Sequence, residues 1–536
     1  MSNKASILDY WVMPEHKPRD TQVQVLEWIE SQPDHIKYFL VEVPVGGGKS
    51  PLALTMSAWL SGRNGSSVVL TPQKILQKQY EASFDKSLIG SMYGKANYQC
   101  ASKQTNCEIG MSVKPKCIDC PYKNNFNAAK MKPNIVLNYK IALLYSLIGV
   151  EFITQRKLMV FDECHTLEHH LTEFLAVSVS ERMCKKHKVI WMKPNTMEDA
   201  LDFIKVQFIP ALANSIKELN PIVDAIFDKM EFGHAITVKE AEIVKEYDDN
   251  LKLVERLESL VLTPILELKD EYVFMPDKTY FKFKELYGRR VFKSLVEPCA
   301  DKFLFMSSTI LDKDEYCKDL GIDPAQAAFI SMPSEFDVNN RSVMYSPTMK
   351  MTYGWDGNDK KDEREEMLEK IRYLCDQYKS DSGVIHTGSF NVAKWLIDNL
   401  QGTVPHKIMH HQPESEEGRD AVIAQFSDLS NSQPKLLISP SVTEGLDLKG
   451  DLARFNLIVK TPYPFLGDAW VKARMEASPA WYTRQAMIAV IQAGGRVVRN
   501  TDDWGDTYIL DSAFWSLYSR MGRKIPAWWR DGFIKQ

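Results

Sequence analysis

The sequence predicts an α/β protein with two parallel-sheet domains, the first of them interrupted twice. Strand-like and helix-like runs alternate from Tyr38 onward and again after about position 336, the pattern of strands joined by crossover helices. Between about 171 and 270 that alternation gives way to helical spacing alone. Four of the nine cysteines crowd between positions 100 and 120, inside the first alternating segment.

Composition sets the outer bounds. At 536 residues the chain is too long for one core and predicts three or four domains of roughly 150 residues each. Hydrophobic content of 44% and charged content of 25% are those of a globular protein in water. No run approaches the roughly 18 apolar residues of a membrane span. The start, MSNKASILDYWVMPEHKPRD, lacks a basic segment followed by an apolar one, so no secretory signal is expected and the location predicted is cytoplasmic. A net charge of −4 excludes a wholly basic nucleic-acid coat but not a local basic groove. Such a patch exists at 93–132, where seven lysines (95, 103, 114, 116, 123, 130, 132) oppose Glu108 and Asp119, giving 7 − 2 = +5. It suits contact with phosphates, although a solvated loop would have the same composition.

Taken in order, Tyr38–Val43 (YFLVEV) is a short apolar run leading into Pro44-Val-Gly-Gly-Gly-Lys-Ser50, and LALTMSAWL after it has helical spacing. SSVVLTP reads as a strand ending at Thr71-Pro72, followed by the helix-like KILQKQYEASF. Lys157–Phe161 (KLMVF) is another buried-strand pattern and ends directly at Asp162-Glu-Cys-His165. Beyond 171, MEDALDFIKVQFIPALANSIKEL and VKEAEIVKEYDDNLKLVERLESLV carry apolar residues three and four apart, a helical insertion of roughly a hundred residues. Strand signals resume with EYVFM and KTYFKF, and Phe303–Met306 (FLFM) leads into Ser307-Ser308-Thr309. A second alternation follows through SGVIHTGS, VAKWLIDNL, KLLISP, FNLIVKTP and TYILDSAF. The boundaries expected are 1–92, 133–170 and 271–335 for the first parallel-sheet domain and 336–536 for the second. The insertions span 93–132, with the cysteines, and 171–270.

The chemistry begins at Gly46-Gly47-Gly48-Lys49-Ser50. Glycines let backbone N–H groups turn inward around phosphate oxygens, and the following helix N-terminus adds a favourable dipole. Lys49 would reach the β- and γ-phosphates of ATP, and the Ser50 hydroxyl would hold Mg²⁺. The strict form of this loop has glycine where Val43 stands, and a glycine-rich turn of no function would share the five residues. The strand before and the helix after distinguish the two. An apolar strand ending in Asp-Glu supplies the second element: Asp162 to hold Mg²⁺ and Glu163 to orient and deprotonate the attacking water. The third is Gln492-Ala-Gly-Gly-Arg496-Val-Val-Arg499, where two arginines three apart project from one helix face toward a γ-phosphate.

Cys100, Cys107, Cys117 and Cys120 follow C-x6-C-x9-C-x2-C, and thiolates so placed can close around a tetrahedral metal or a cubane cluster. Chemistry alone leaves zinc and iron–sulfur both open. The remaining cysteines (164, 184, 299, 317, 375) read as core residues. Tyr93, Tyr98, Tyr122 and Phe126 beside the cluster would serve either base stacking or packing, and Trp528 and Trp529 read as packing.

In this order the segments resemble superfamily 2 helicases, specifically the iron–sulfur branch typified by XPD and DinG. Arg19-Asp-Thr-Gln22 resembles the adenine-reading element upstream of the phosphate loop, and VPVGGGKS resembles motif I. LTPQKILQKQY is similar to motif Ia, and Asn138-Tyr139 to the strand end before motif II. DECH is similar to a DEAH-type motif II with Cys164 for alanine, and Ser307-Ser308-Thr309 to motif III with Ser308 for alanine. HTGSF resembles motif IV, Thr443-Glu444-Gly445-Leu446-Asp447 motif V, and QAGGRVVR motif VI. The resemblance implies two RecA-like motor domains with Mg·ATP between them. Arg19, Gln22, Gly46, Gly47, Gly48, Lys49, Ser50, Glu444, Gly445 and Asp447 would bind nucleotide, and Gln492, Arg496 and Arg499 would sense the γ-phosphate. His165 and motif III would link nucleotide to strand. The four cysteines would hold a 4Fe–4S cluster in place of zinc, and 171–270 would form a helical arch, the two framing a pore for one strand. The implied partners are single-stranded DNA and duplex junctions, the implied polarity 5′ to 3′, and the implied state a monomer. Competing readings are an RNA-directed motor and a non-processive ATPase subunit of a nuclease or recombination complex.

Overall fold

The computed structural model describes residues 5–101, 106–110, 119–232, 234, 236–411, 416–428, 433–440, 450–495, 498 and 503–536. Five apolar runs open the first sheet: β1 (Tyr38–Glu42), β2 (Ser67–Thr71), β3 (Ile89–Ser91), β4 (Asn134–Asn138) and β5 (Arg156–Asp162). A separate antiparallel sheet intervenes, built from β6 (Val177–Ser180), β7 (Tyr272–Pro276) and β8 (Tyr280–Glu285). β9 (Ala300–Ser307) and β10 (Ala327–Ser331) then complete the first sheet in the order β10-β1-β9-β5-β2-β4-β3. Its strands pair parallel throughout. Helices cover both faces, so every residue of β1 and β2 is buried, which is why these strands read as unbroken apolar runs.

The second lobe repeats the plan. β11 (Val343–Met349), β12 (Gly383–His386), β13 (Lys407–Met409), β14 (Lys435–Ser439), β15 (Phe455–Ile458), β16 (Asp506–Asp511) and β17 (Phe533–Lys535) form another parallel sheet. Their order is β13-β14-β12-β15-β16-β11-β17. The protein therefore has two RecA-like parallel-sheet lobes, as the alternation of strands and helices predicts.

The segment between β5 and β9 departs from a purely helical insertion. It contains helices Met197–Phe203, Ile209–Glu231 and Val238–Leu262, but it opens with β6, whose Val177 pairs antiparallel with Phe283. Four residues alternating Val and Ser are too short a strand to register beside long helical patterns. Val177 and Val179 nonetheless bury against Phe281, Phe283 and Phe203 in a core of their own. Among the described residues no helix is long and apolar enough to cross a membrane.

Register explains where the site falls. Glu42 of β1 stands opposite Ser307 of β9, and Asp162 of β5 stands opposite Met306. Three adjacent strands thus end at one level, and their loops emerge together at the carboxyl edge, where open α/β sheets bind ligands.

Candidate active site

Val43 to Gly48 turn from β1 into helix Lys49–Ser61. Gly46 and Gly48 have φ of 79° and 70°, left-handed values at which glycine is unstrained. A Cβ on Gly48 would meet Gln22 Nε2 at 2.3 Å, and one on Gly47 would meet Val43 Cγ1 at 2.4 Å. Val43, the departure from the strict motif, therefore fills space that Gly47 leaves vacant. Arg19 Nη1 donates to Gly46 O at 2.7 Å and Gln22 Nε2 to Gly48 O at 2.9 Å, while Gln22 Oε1 accepts from Arg19 N at 2.9 Å. The pair braces the loop through its carbonyls.

Lys49 Nζ lies 3.5 Å from Glu163 Oε1. His165 Nδ1 lies 3.4 Å from Glu163 Oε2 and 2.9 Å from Ser307 Oγ, joining the end of β5 to the end of β9. Glu163 has φ of 50°, strained backbone of the kind that surrounding structure sustains at functional sites. Asp162 is buried; its Oδ2 faces the Tyr80 hydroxyl at 3.4 Å, and Tyr139 donates to its carbonyl at 2.9 Å. Ser50 stands beside the same Tyr80 hydroxyl, so Ser50 and Asp162 converge. Burial first, then the charge of Glu163, push the Asp162 carboxyl up to about 6. Burial also works to raise Glu163, but Lys49 and His165 outweigh it and hold that carboxyl well below the usual range. Among the described residues Asp162 makes no ion pair, and its neighbour is firmly ionised, a pairing that fits Mg²⁺ at Asp162 with Ser50 and a base at Glu163.

The second lobe faces this edge through helix Pro479–Gly494. Gln492 Nε2 donates to Ser308 Oγ at 3.0 Å and to Thr309 Oγ1 at 2.9 Å. A Cβ on Gly495 would come within 3.6 Å of Val45 Cγ2, so the end of that helix abuts the phosphate loop. A narrow cleft opens there, lined by Pro44, Val45, Gly494, Gly495 and Trp528. Arg496, Arg499, Glu444, Gly445 and Asp447 lie outside the described residues.

Residues 371–532 match the family described as Helicase C-terminal domain, and residues 15–193 match the family described as Type III restriction enzyme, res subunit. The ATP-dependent DNA helicase YoaA of Escherichia coli (strain K12) is 22% identical over 459 residues, covering 75% of this chain and 69% of that protein. The ATP-dependent DNA helicase DinG of Photobacterium profundum is 24% identical over 207 residues, 37% of this chain and 29% of that one. An XPD helicase structure superposes with a TM-score of 0.62 at 16% identity, covering 97% of this chain and 100% of that chain, a likeness of fold. The two family matches, on the two lobes, together with these relatives support a superfamily 2 helicase of the XPD/Rad3/DinG type.

The cysteine segment is only partly described. Cys100, Cys107 and Cys120 are buried, and Cys117 lies outside the described residues. Gln99 bridges Asn106, and Cys107 N donates to Tyr98 O at 2.8 Å, so the strands of chain bearing Cys100 and Cys107 run side by side. Cys107 and Cys120 share one core with Tyr122. Among the described residues no three His, Cys, Asp or Glu side chains gather closely enough to hold a metal ion. Tyr122 packs edge-on to Tyr98 and against Phe126, and its hydroxyl meets that of Tyr145 at 2.9 Å, so Tyr122 serves packing. Trp528 and Trp529 are buried, as are Cys164, Cys184, Cys299, Cys317 and Cys375.

Sequence reasoning missed one cluster altogether. Arg474, 0% exposed, donates to Glu168 Oε1 at 2.8 Å and to Asp319, while Arg484 also binds Asp319 and Trp481 Nε1 donates to Glu168 Oε2 at 2.8 Å. Glu168 and Asp319 belong to the first lobe, Arg474 and Arg484 to the second. Burial, then Asp319, push Glu168 up to about 7. Nothing local marks these residues, because the pairing joins helices some 150 to 300 positions apart.

Proposed function

We propose that this protein is an ATP-driven motor that moves on single-stranded DNA and separates duplexes at junctions. The observation that carries this reading is the site's division between lobes: Lys49, Asp162 and Glu163 on one wall, Gln492 bridging to Ser308 and Thr309 from the other. Hydrolysis at such a seam moves one lobe against the other. Lys49 exchanges Glu163 for the β- and γ-phosphates. Glu163, freed, takes the proton of the water that attacks the γ-phosphorus, and the cleaved phosphate carries the charge toward Arg496 and Arg499. Mg²⁺, held by Ser50 and Asp162, supplies charge neutralisation on the phosphates. Arg19 and Gln22, already bonded to the loop, would read adenine, and Glu444, Gly445 and Asp447 would add nucleotide contacts, both as the family resemblance implies. His165, on Ser307, relays the state of the site to motif III.

DNA is favoured as the track because YoaA and DinG are named as DNA helicases; movement from 5′ to 3′ rests on the family resemblance. Both walls come from one chain, which supports a monomer. Four thiols, three of them buried and two of these, Cys107 and Cys120, in one core with Tyr122, fit a 4Fe–4S cluster held by Cys100, Cys107, Cys117 and Cys120, which would supply a rigid crosslink in the 93–132 domain. The 171–270 segment would be the arch. The ion pair from Lys245 to Glu108, at 2.7 Å, joins these two insertions, which supports their framing a pore for one strand.

Strand displacement on duplexes with 5′ or 3′ DNA tails, beside matched RNA, tests the reading. Unwinding of the 5′-tailed DNA is expected. Lys49→Ala and Glu163→Gln should both abolish ATP hydrolysis while leaving strand binding intact, and full turnover by Glu163→Gln would remove that residue from the role of base.

A further inference from the structure

We infer that Glu42 is a positioning residue that locks the turn after motif III so that Leu311 stays wedged in the second lobe, tying the phosphate loop to the interlobe contact. The inference rests on the motor reading above. Glu42 is the last residue of β1, one position before the phosphate-loop segment begins, and is 1% exposed. Its Oε2 accepts from Ile310 N at 2.7 Å and from Leu311 N at 2.8 Å, and its Oε1 accepts from Ser331 Oγ at 2.7 Å. Among the described residues no cation pairs with it. A buried carboxylate satisfied by backbone N–H groups is a clamp on whatever segment carries them.

That segment needs a clamp. Asp312 N donates to Ile310 O at 2.8 Å, closing a three-residue turn with Leu311 at its centre and φ of 66°. A γ-branched residue at positive φ in such a turn is strained, and strain of this kind persists only when neighbours over-determine it. The reward is a side chain placed in the other lobe: Leu311 is buried in a cluster with Ile458, Met487, Ile488 and Phe514, all of the second lobe. Its neighbours lean the same way. Thr309 accepts from Gln492, and Asp312 pairs with Lys524 at 2.5 Å. A side chain serving only the first lobe's core would not require a left-handed leucine held from the base of the phosphate loop.

The test uses the full chain and three variants: Glu42→Leu, which removes the acceptors; Glu42→Gln, whose amide oxygen can still accept both N–H groups; and Leu311→Gly, which relaxes the turn but removes the wedge. ATP hydrolysis with and without single-stranded DNA gives kcat and KM. For Glu42→Leu and for Leu311→Gly, strand-stimulated kcat should fall about ten-fold with KM for ATP within about two-fold of wild type, and Glu42→Gln should restore most of it. The Glu42→Leu/Leu311→Gly double variant should be no worse than either single one, since both break one device. Wild-type stimulation in Leu311→Gly, or losses that multiply in the double variant, would overturn the inference. Should Glu42→Leu not fold, Leu311→Gly carries the same prediction. A wild-type protein without strand-stimulated hydrolysis would defeat the motor reading instead. The clamp is then decided by hydrogen exchange at 309–313, which must rise in Glu42→Leu and not in Glu42→Gln if it exists.

Discussion

The phosphate loop shows how single residues set what the site tolerates. Gly48 is needed twice over, for its φ of 70° and because a Cβ would strike Gln22. Gly48→Ala should therefore weaken ATP-analogue binding about ten-fold or more by equilibrium titration, since it must both strain the backbone and displace the Gln22 brace. Gly47 carries a different constraint: it has no special φ, but Val43 Cγ1 occupies the place of its Cβ. Gly47→Ala should thus be rescued in part by Val43→Gly, whereas Gly48→Ala should not, a contrast that the same titration reads. Much of this was legible in the sequence, because glycine, lysine and paired carboxylates announce their chemistry by type and order. The brace from Arg19 to Gly46 O was not, and neither was Gln492 reaching Ser308, since hydrogen bonds between distant segments have no periodicity to betray them.

At the scale of elements, what the sequence conveyed was period, and what it concealed was pairing. Buried parallel strands and long amphipathic helices each have a pattern, so both alternating lobes and the helices of 171–270 could be read. β6 could not, because its four residues become a strand only by lying against β8. The same holds for helices Ala469–Ala477 and Pro479–Gly494, whose arginines look like solvated surface until Glu168 and Asp319 are brought to them. Trp470 adds to that seat, donating to Glu285 O at 2.7 Å with Lys284 4.0 Å from its ring. Arg474→Met should destabilise the protein by about 3–5 kcal/mol, because it takes the ion-pair partner from buried Glu168 and leaves Asp319 with Arg484 alone. Thermal unfolding should show Arg474→Met well below Arg372→Met, whose guanidinium pairs with an exposed carboxylate. In the cysteine segment, Cys120→Ser should abolish absorbance near 400 nm and the associated iron in anaerobically purified protein, with the zinc content unchanged; iron and sulfide assays distinguish a cluster from a zinc site.

For the whole molecule, the interlobe contacts, of which the Leu311 wedge and the Asp312–Lys524 pair are part, differ in strength and so decide how the lobes can move. On one side lies the Arg474, Arg484, Glu168 and Asp319 cluster, buried and charged. Opening the lobes there would have to break several buried charge-assisted hydrogen bonds together, each worth about 1.5–3 kcal/mol. On the other side Gln492 makes two neutral hydrogen bonds, worth about 1 kcal/mol each, beside a cleft already present. On the motor reading, the nucleotide enters at the weak side. On that reading, rotation driven by hydrolysis would pivot about the charged cluster and open or close at the phosphate loop, so that a small change at Lys49 would become a larger displacement at the far edge of each sheet. Hydrogen exchange can test this directly. Between the nucleotide-free protein and its complex with a non-hydrolysable ATP analogue and single-stranded DNA, amides of 469–488 should keep their protection. Those of 44–50 and 490–495 should gain it. Exposure of 469–488 on nucleotide binding would mean that the cluster separates during the cycle, and the hinge would have to be sought at the phosphate loop instead.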